Sequence, residues 1–502
     1  MVFSDLFFLF VFLPSVAICY LLAAWIDKKI LSTPLNTSKP FSTPLHPQGP
    51  SFTARNAVLV LFSLIFYAWG EPVYVLLMLA CVFLTYLSGR MIGAWTRHRK
   101  AGLVFGLVCN IGILSIFKYT SMLVETLNNL GLDVPDPKIS LPIGISFYVF
   151  QSISYLVDIY RGDSPVQKNF LRLLLYISMF PQLIAGPIVR YGRVAEELQN
   201  RHVSARDMAE GMQRFMLGLG KKVILANQFS ELATQFMGGF SEQSATTAGA
   251  WIGVIGFSLQ IYFDFSGYSD MAIGIGRCLG FHFNENFNHP YICRSITDFW
   301  RRWHMSLCSF FRDYVYIPMG GNRRHQVLNI CVVWFLTGLW HGADWTFAMW
   351  GIYFAVIVLF EKYVYLKIQP HIWRPLQHIY ALMIIIIGRV LFYFDDLGTV
   401  GQFYRTLFGG AAQACDFVAE TAVLNNFWLW VVGILCCLPL FEWGDKWLDR
   451  IVGVAPDAGE VAAGRKSIIV TLCQLVFSVA VLVLSVALLV GATNNAFIYT
   501  RF

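Results

Sequence analysis

Apolar stretches of about 20 residues, separated by short polar ones, recur from one end of the chain to the other. Each is long enough to cross a hydrocarbon core of roughly 30 Å as a helix. The pattern predicts candidate spans at 6–25, 57–69, 73–88, 103–117, 141–159, 171–189, 211–226, 248–263, 271–283, 327–340, 346–360, 379–394, 427–441 and 467–490. Several are short, so about eleven true crossings plus re-entrant or interfacial pieces are expected, in an all-α polytopic membrane protein. The first stretch has no basic residue before it and runs directly into Asp27–Lys28–Lys29. It reads as an uncleaved span rather than a signal peptide.

The polar stretches between spans test this reading. Those carrying Lys28, Lys29, Lys39 and Arg55, then Arg90, Arg97, Arg99 and Lys100, then Lys362, Lys367 and Arg374 are basic, whereas 120–140 and 395–421 lean acidic. Basic flanks stay in the cytoplasm, which predicts an external amino terminus, a cytoplasmic Arg90 loop and an external Leu130 loop. The Pro/Ser/Thr-rich connector at 32–55 reads as a flexible cytoplasmic loop. No segment reads as a soluble domain, so residues 1–502 are expected to form a single membrane domain with its catalytic core at about 140–360, the core being placed by the resemblance given below.

Composition agrees. The chain is 57% hydrophobic and 13% charged, whereas soluble domains run near a quarter charged. The net charge of +7 sits in loops between spans, which is what insertion requires, so nucleic-acid binding is excluded. The 11 cysteines form no C-x-x-C pair and read as small apolar residues in lipid. His304 and Cys308 share a helical face, but two ligands make a poor zinc site, and no metal is expected. "LGLGKK" at 217–222 lacks the leading glycine and the final Ser or Thr of a phosphate loop; it reads as a helix end with cytoplasmic cations.

Candidate chemistry concentrates between Asp264 and His341. Asp264 and Asp270 are carboxylates at membrane depth, which either cap or break a helix near the interface or face a polar interior with a partner. The stretch 284–324 mixes Arg294, Arg301, Arg302, Arg312, Arg323 and Arg324 with Phe299, Trp300, Trp303, Phe310, Phe311, Tyr314 and Tyr316. It suits a segment at the cytoplasmic interface, where the arginines set topology or draw in an anionic donor. His304 lies inside it, and His341 follows an apolar run. An imidazole at depth is either bonded to a backbone carbonyl or faces a pathway, and its ordinary pKa near 6.5 suits it to general-base work.

"SITDFWRRWHMSLCSFFRDYVYIPMGGNRR" followed by "LTGLWHGADWTFAMWGIYF" resembles the membrane-bound O-acyltransferase family, and within it the bacterial alginate O-acetyltransferase, AlgI-like branch, with which peptidoglycan O-acetyltransferases are closely similar. "VFSDLFFLFVFLPSVAICYLL", "LPIGISFYVFQSISYLVDIYRGD", "FPQLIAGPIVRY", "DFSGYSDMAIGIGRCLGF" and "FIYTRF" extend the resemblance over nearly the whole chain. It implies that His341 is the catalytic base and His304 its companion, orienting a thioester or stabilising the oxyanion. Asp313 and Asn322 match motif positions; with Trp303 and Arg302 they are expected to bind substrate.

The resemblance further implies acetyl-CoA as the acyl donor from the cytoplasm, with no bound cofactor. The acetyl group is expected to pass through a bacterial inner membrane to an extracytoplasmic polysaccharide such as alginate, with peptidoglycan as the rival acceptor. Completing that transfer calls for a separate SGNH-type acetyltransferase. A reading from a different class, a glycan or lipid transporter whose histidines and aspartates form a pathway, stays open. Asp344 either ends a helix, faces the external mouth or tunes His341.

Overall fold

The computed structural model describes residues 2–31, 53–94, 97–440, 443–444, 460–492 and 497. Residues 32–52 of the Pro/Ser/Thr-rich connector and most of "FIYTRF" lie outside them. Among the described residues the protein is all-helical, with one isolated bridge between Thr246 and Gln413. It divides into two compact units: residues 1–212 with 272–284, and 213–271 with 285–502.

Seven helical stretches are long and apolar enough to span a membrane: Phe8–Lys29, Tyr74–Ala94, Arg99–Asn129, Thr247–Cys278, Trp345–His371, Arg374–Tyr393 and Leu472–Val490. The bent pair Phe417–Asn425 and Phe427–Cys436, 59° apart, makes up to eight, and Ala54–Gly70 and Gln326–His341 are shorter apolar helices. The protein is therefore multi-pass; the figure of about eleven crossings is larger than the number that meet this test among the described residues. Only 17% of the Leu472–Val490 window is buried, so its apolar side chains face outward, as lipid contact requires.

In the first unit, α1 (Leu13–Leu31), α2 (Ala54–Gly70), α3 (Tyr74–Ala94), α4 (Arg99–Asn129), α5 (Ile145–Arg161) and α6 (Phe170–Ser178) follow in order. Thr53 starts α2 by accepting from Asn56 N–H, and Asn169 starts α6 by accepting from Arg172 N–H, the usual N-cap device. Phe3, Phe8, Phe12, Phe66 and Phe180 form one buried aromatic cluster.

The second unit carries the chemistry. Its elements are the end of α7 (Ala205–Gly220), a π-helical turn at Lys221–Ala226, α8 (Asn227–Met237), most of α9 (Thr247–Cys278), the short α10 (Ile296–Trp300) and α11 (Met305–Phe311), and the hairpin of α12 (Gln326–His341) and α13 (Trp345–Phe360), followed by α14 (Arg374–Tyr393). One sequence reading is corrected here, and one pair of alternatives is decided in favour of carboxylates at depth with partners. Residues 217–222 do not end a helix, because α7 continues into the π turn. Asp264 and Asp270 neither cap nor break one; both lie inside α9, each against cations. Lys222 Nζ meets Asp264 at 2.8 Å, while Arg214 and Lys221 hold Asp270 at 2.9 and 2.7 Å. The pairing depends on close approach: a Cβ on Gly218 would stand 2.6 Å from the Gly267 carbonyl oxygen, so only glycine fits there without a backbone shift.

Candidate active site

The α12–α13 hairpin positions His341. A Cβ on Gly338 would lie 2.2 Å from the Phe347 carbonyl oxygen, and one on Gly351 2.4 Å from that of Trp334. Glycine on both helices brings the backbones together and fixes the last turn of α12, where His341 sits 3% exposed. Its imidazole is ringed by aromatics, with centroids 4.9 Å from Trp340, 5.1 Å from Trp350 on α13 and 5.0 Å from Phe392 on α14. Asp344 occupies the N-cap position of α13 with extended backbone, which is the helix-boundary reading of that residue.

His304 is fully buried and precedes α11 with φ +44°, the left-handed region that a non-glycine side chain occupies at a cost. What holds it there is Asn286. The Asn286 Oδ1 accepts from Ser306 N–H at 3.3 Å and Ser306 Oγ at 2.9 Å, and its backbone carbonyl accepts from Met305 N–H at 3.0 Å. The same Oδ1 lies 3.1 Å from His304 Nδ1. An amide oxygen only accepts, so Nδ1 carries the proton and Nε2 the lone pair. Asn286 Nδ2 donates to Ser269 Oγ on α9 at 3.0 Å, anchoring the loop. Burial pushes the His304 pKa down to about 3, so the ring is neutral. It packs edge-on against Phe265 at 4.6 Å and lies 5.7 Å from Trp340. The Trp340 indole therefore neighbours both imidazoles.

The other expected site residues are distributed around this pair. Trp303 stacks on Phe299 at 5.4 Å and lies beneath the guanidinium of Arg389, whose Cζ is 4.4 Å from its ring centroid. Arg302 is bound to Asp298 at 2.9 Å and to the Asn288 carbonyl at 3.3 Å. Asp313 pairs with Arg312 at 2.6 Å, and Asn322 Oδ1 accepts from Tyr316 at 2.7 Å, from Lys362 at 3.0 Å and from Gln326. Arg312, Tyr316 and Lys362 line a cavity of about 380 Å³ together with Arg301, Trp300 and Thr337. Asp313 and Asn322 thus sit beside the cavity cations, whereas Arg302 is not among the residues that line it. The cavity reaches Thr337, one helical turn before His341, and Trp300 lies 5.6 Å from the Trp350 ring that touches His341.

A family model for the membrane-bound O-acyltransferase family matches residues 144–394. The probable alginate O-acetylase AlgI of Azotobacter vinelandii is 40% identical over 365 residues, covering 70% of this chain and 72% of the relative. The chain belongs to the membrane-bound O-acyltransferase family. The peptidoglycan O-acetyltransferase of Helicobacter pylori is 35% identical to this acyltransferase, covering 59% of the chain and 62% of the relative. The teichoic acid D-alanyltransferase of Bacillus subtilis is 27% identical, covering 68% and 88% respectively. The matched segment of the acyltransferase contains His304, His341, the cavity and Arg389.

Sequence reasoning passed over Asn286, Trp350, Phe392 and Arg389. Arg389 alone left a usable signal: it is an arginine inside the apolar run "MIIIIGRVLFYF", and an ionisable group at such depth marks function by default.

Proposed function

We propose that this O-acyltransferase takes an acetyl group from acetyl-CoA at the cytoplasmic face of a bacterial inner membrane and delivers it for O-acetylation of an extracytoplasmic polysaccharide. The reading is carried by one observation: His341 and His304 are both buried, and the Trp340 indole neighbours both imidazoles. His341 acts as general base. It removes the proton of an acceptor hydroxyl, whose oxygen attacks the thioester carbonyl carbon, and it returns the proton to the leaving thiolate. Neutral His304, fixed in one tautomer by Asn286, helps to position the reacting groups beside the Trp340 indole.

The donor assignment is supported by the cavity. Arg301, Arg312 and Lys362 supply positive charge, and Trp300, Leu307, Phe311, Ile330 and Trp334 supply apolar walls. Phosphates joined to a long apolar arm ending in a thioester suit such a lining. Gln326 and His341 are the ends of a helix of 16 residues, roughly 24 Å apart, so a donor held at the basic end reaches His341 only through an extended arm. Asp313 and Asn322 hold Arg312 and Lys362 in place rather than touching the acyl group. By the basic-loop rule, the Lys362 end faces the cytoplasm and the His341 end faces outward.

The acceptor is proposed to be alginate or a similar secreted polysaccharide, with a separate SGNH-type acetyltransferase completing the transfer. The name of the Helicobacter pylori relative makes peptidoglycan the second candidate. Mass spectrometry of O-acetyl groups on secreted glycans and on cell wall from a deletion strain complemented with wild type or His341→Ala tests the reading. Loss of acetyl esters from secreted glycan, with the polymer still exported, is expected. Loss from the cell wall alone moves the acceptor to peptidoglycan. Defective export of an unmodified polymer points to a transporter and contradicts the proposal.

A further inference from the structure

Arg389 is 3% exposed and belongs to the span Arg374–Tyr393. A guanidinium stays charged at any working pH, and a charge at this depth normally meets a counter-charge. Arg389 meets the indole face of Trp303 instead, at 4.4 Å, with the Tyr291 hydroxyl also in reach. Its Nε and Nη2 have no hydrogen-bond partner among the described residues. The flat fork of donors is therefore left open at two nitrogens.

Its position gives those donors a task. Trp303, on which the guanidinium rests, immediately precedes His304. Phe392 lies three residues after Arg389, on the same face of α14, and its ring is 5.0 Å from His341. Arg389 is thus tied to the segment of one imidazole through Trp303 and to the ring wall of the other through α14. His304 does not supply a donor at its Nε2, since the proton is held at Nδ1 by Asn286. Acyl transfer requires a donor at the carbonyl oxygen, where negative charge develops. Trp350, whose ring adjoins His341 at 5.1 Å, has a buried Nε1–H with no acceptor among the described residues and is the natural second donor.

We infer that Arg389 is a catalytic residue of the acyl transfer: its Nε and Nη2 hold the acyl carbonyl oxygen as it becomes anionic. This rests on the thioester-donor reading above. The acceptor oxygen forms a bond to the carbonyl carbon as His341 takes its proton, and the carbonyl π pair moves onto the oxygen held by Arg389. Collapse restores the C=O bond and breaks the C–S bond. The thiolate leaves with the proton returned by His341, and no oxidant, metal or further reactant is needed.

The full chain in liposomes, supplied with acetyl-CoA and a soluble hydroxyl acceptor, tests this by free-thiol release and by acetyl ester formation on that acceptor. Removing one oxyanion donor typically costs about 10²–10³ in kcat, and Arg389→Met is expected to lose that much with acceptor KM changing less than about threefold. Arg389→Lys, which keeps the charge but loses the fork, is expected to stay below a tenth of the wild-type rate. Guanidinium ion added to Arg389→Ala is expected to restore rate, which a merely structural role does not predict. A kcat within about threefold of wild type in Arg389→Lys, or a defect confined to acceptor KM, overturns the inference even if Arg389→Met fails to fold. Wild-type protein that releases no thiol from acetyl-CoA overturns the donor reading instead. In that case the acetyl ester content of the cellular glycan is compared, and wild-type content in the Arg389→Lys strain overturns the arginine assignment.

Discussion

Two regions of the second unit bury ionisable groups, and they treat them in opposite ways. Along α9 each carboxylate has its cation: Asp264 with Lys222, and Asp270 with Arg214 and Lys221. Around Trp340 the histidines are surrounded by aromatic rings, and Arg389, on the helix that carries Phe392, rests on Trp303 with two nitrogens open. Charges neutralised in place tie helices together. A charge left open in a buried, preorganised site is available to a charge that appears only during reaction.

If the contrast is right, the two regions fail differently. The largest stability effect belongs to α9. Lys222→Ala leaves Asp264 buried opposite no cation, and removing one partner of a buried pair costs about 3–5 kcal/mol. Thermal melts in detergent should show that loss, while the turnover of molecules that remain folded is preserved. Lys222→Met combined with Asp264→Leu should recover much of the stability, because an apolar pair has no charge to desolvate. Full activity loss in a stable double variant would move Asp264 into the chemistry and erase the distinction.

Next comes His304→Gln, where misplacement of reacting groups is expected to lower the rate by roughly 10–10²-fold with little loss of stability near neutral pH. The pH dependence sharpens this. His304 takes a proton at about 3 in the folded protein, but at about 6.5 in an unfolded chain. Between these values the unfolded state binds more protons, so stability present above about pH 6.5 is lost as pH falls toward 3. The melting temperature of wild type should therefore fall more steeply than that of His304→Gln between about pH 6.5 and 4.5; equal slopes would contradict the buried neutral imidazole.

Smaller changes are expected at the cavity. Arg301→Ala and Lys362→Ala should each raise the KM for acetyl-CoA a few-fold with kcat nearly unchanged, the mark of uniform donor binding. Arg302→Ala should do least, removing an i,i+4 pair with Asp298 worth about 0.5 kcal/mol without altering donor KM. An Arg302 effect on KM larger than that of Arg301 would show that the cavity cations have been misassigned.

Much of this was open to the sequence. Apolar runs announced a helical membrane protein, since only the length and polarity of each run matter for that inference. His304 and His341 stood out as imidazoles near or within apolar segments and through the motif around them. What was hidden depends on distant parts of the chain meeting. Nothing local to Asp264 reveals that Lys222 lies against it, so a helix-boundary reading was as natural as a buried pair. The tautomer of His304 depends on Asn286, eighteen residues away in a loop without periodicity. Arg389 was visible as an arginine in an apolar run, yet its partner Trp303 lies in another element, and only their contact separates a topology marker from a site residue. The left-handed backbone at His304 and Asn286's grip on Ser306 are likewise products of folding rather than of pattern.

The central claim is that the aromatic enclosure performs acyl transfer with His341 as its base. Thiol release from acetyl-CoA by purified, folded His341→Ala in liposomes tests it most directly. A positioned general base contributes about 10²–10⁴-fold, so the variant should fall by at least that range's lower bound, with a melting temperature close to wild type. A folded His341→Ala protein that releases thiol at the wild-type rate would contradict the account.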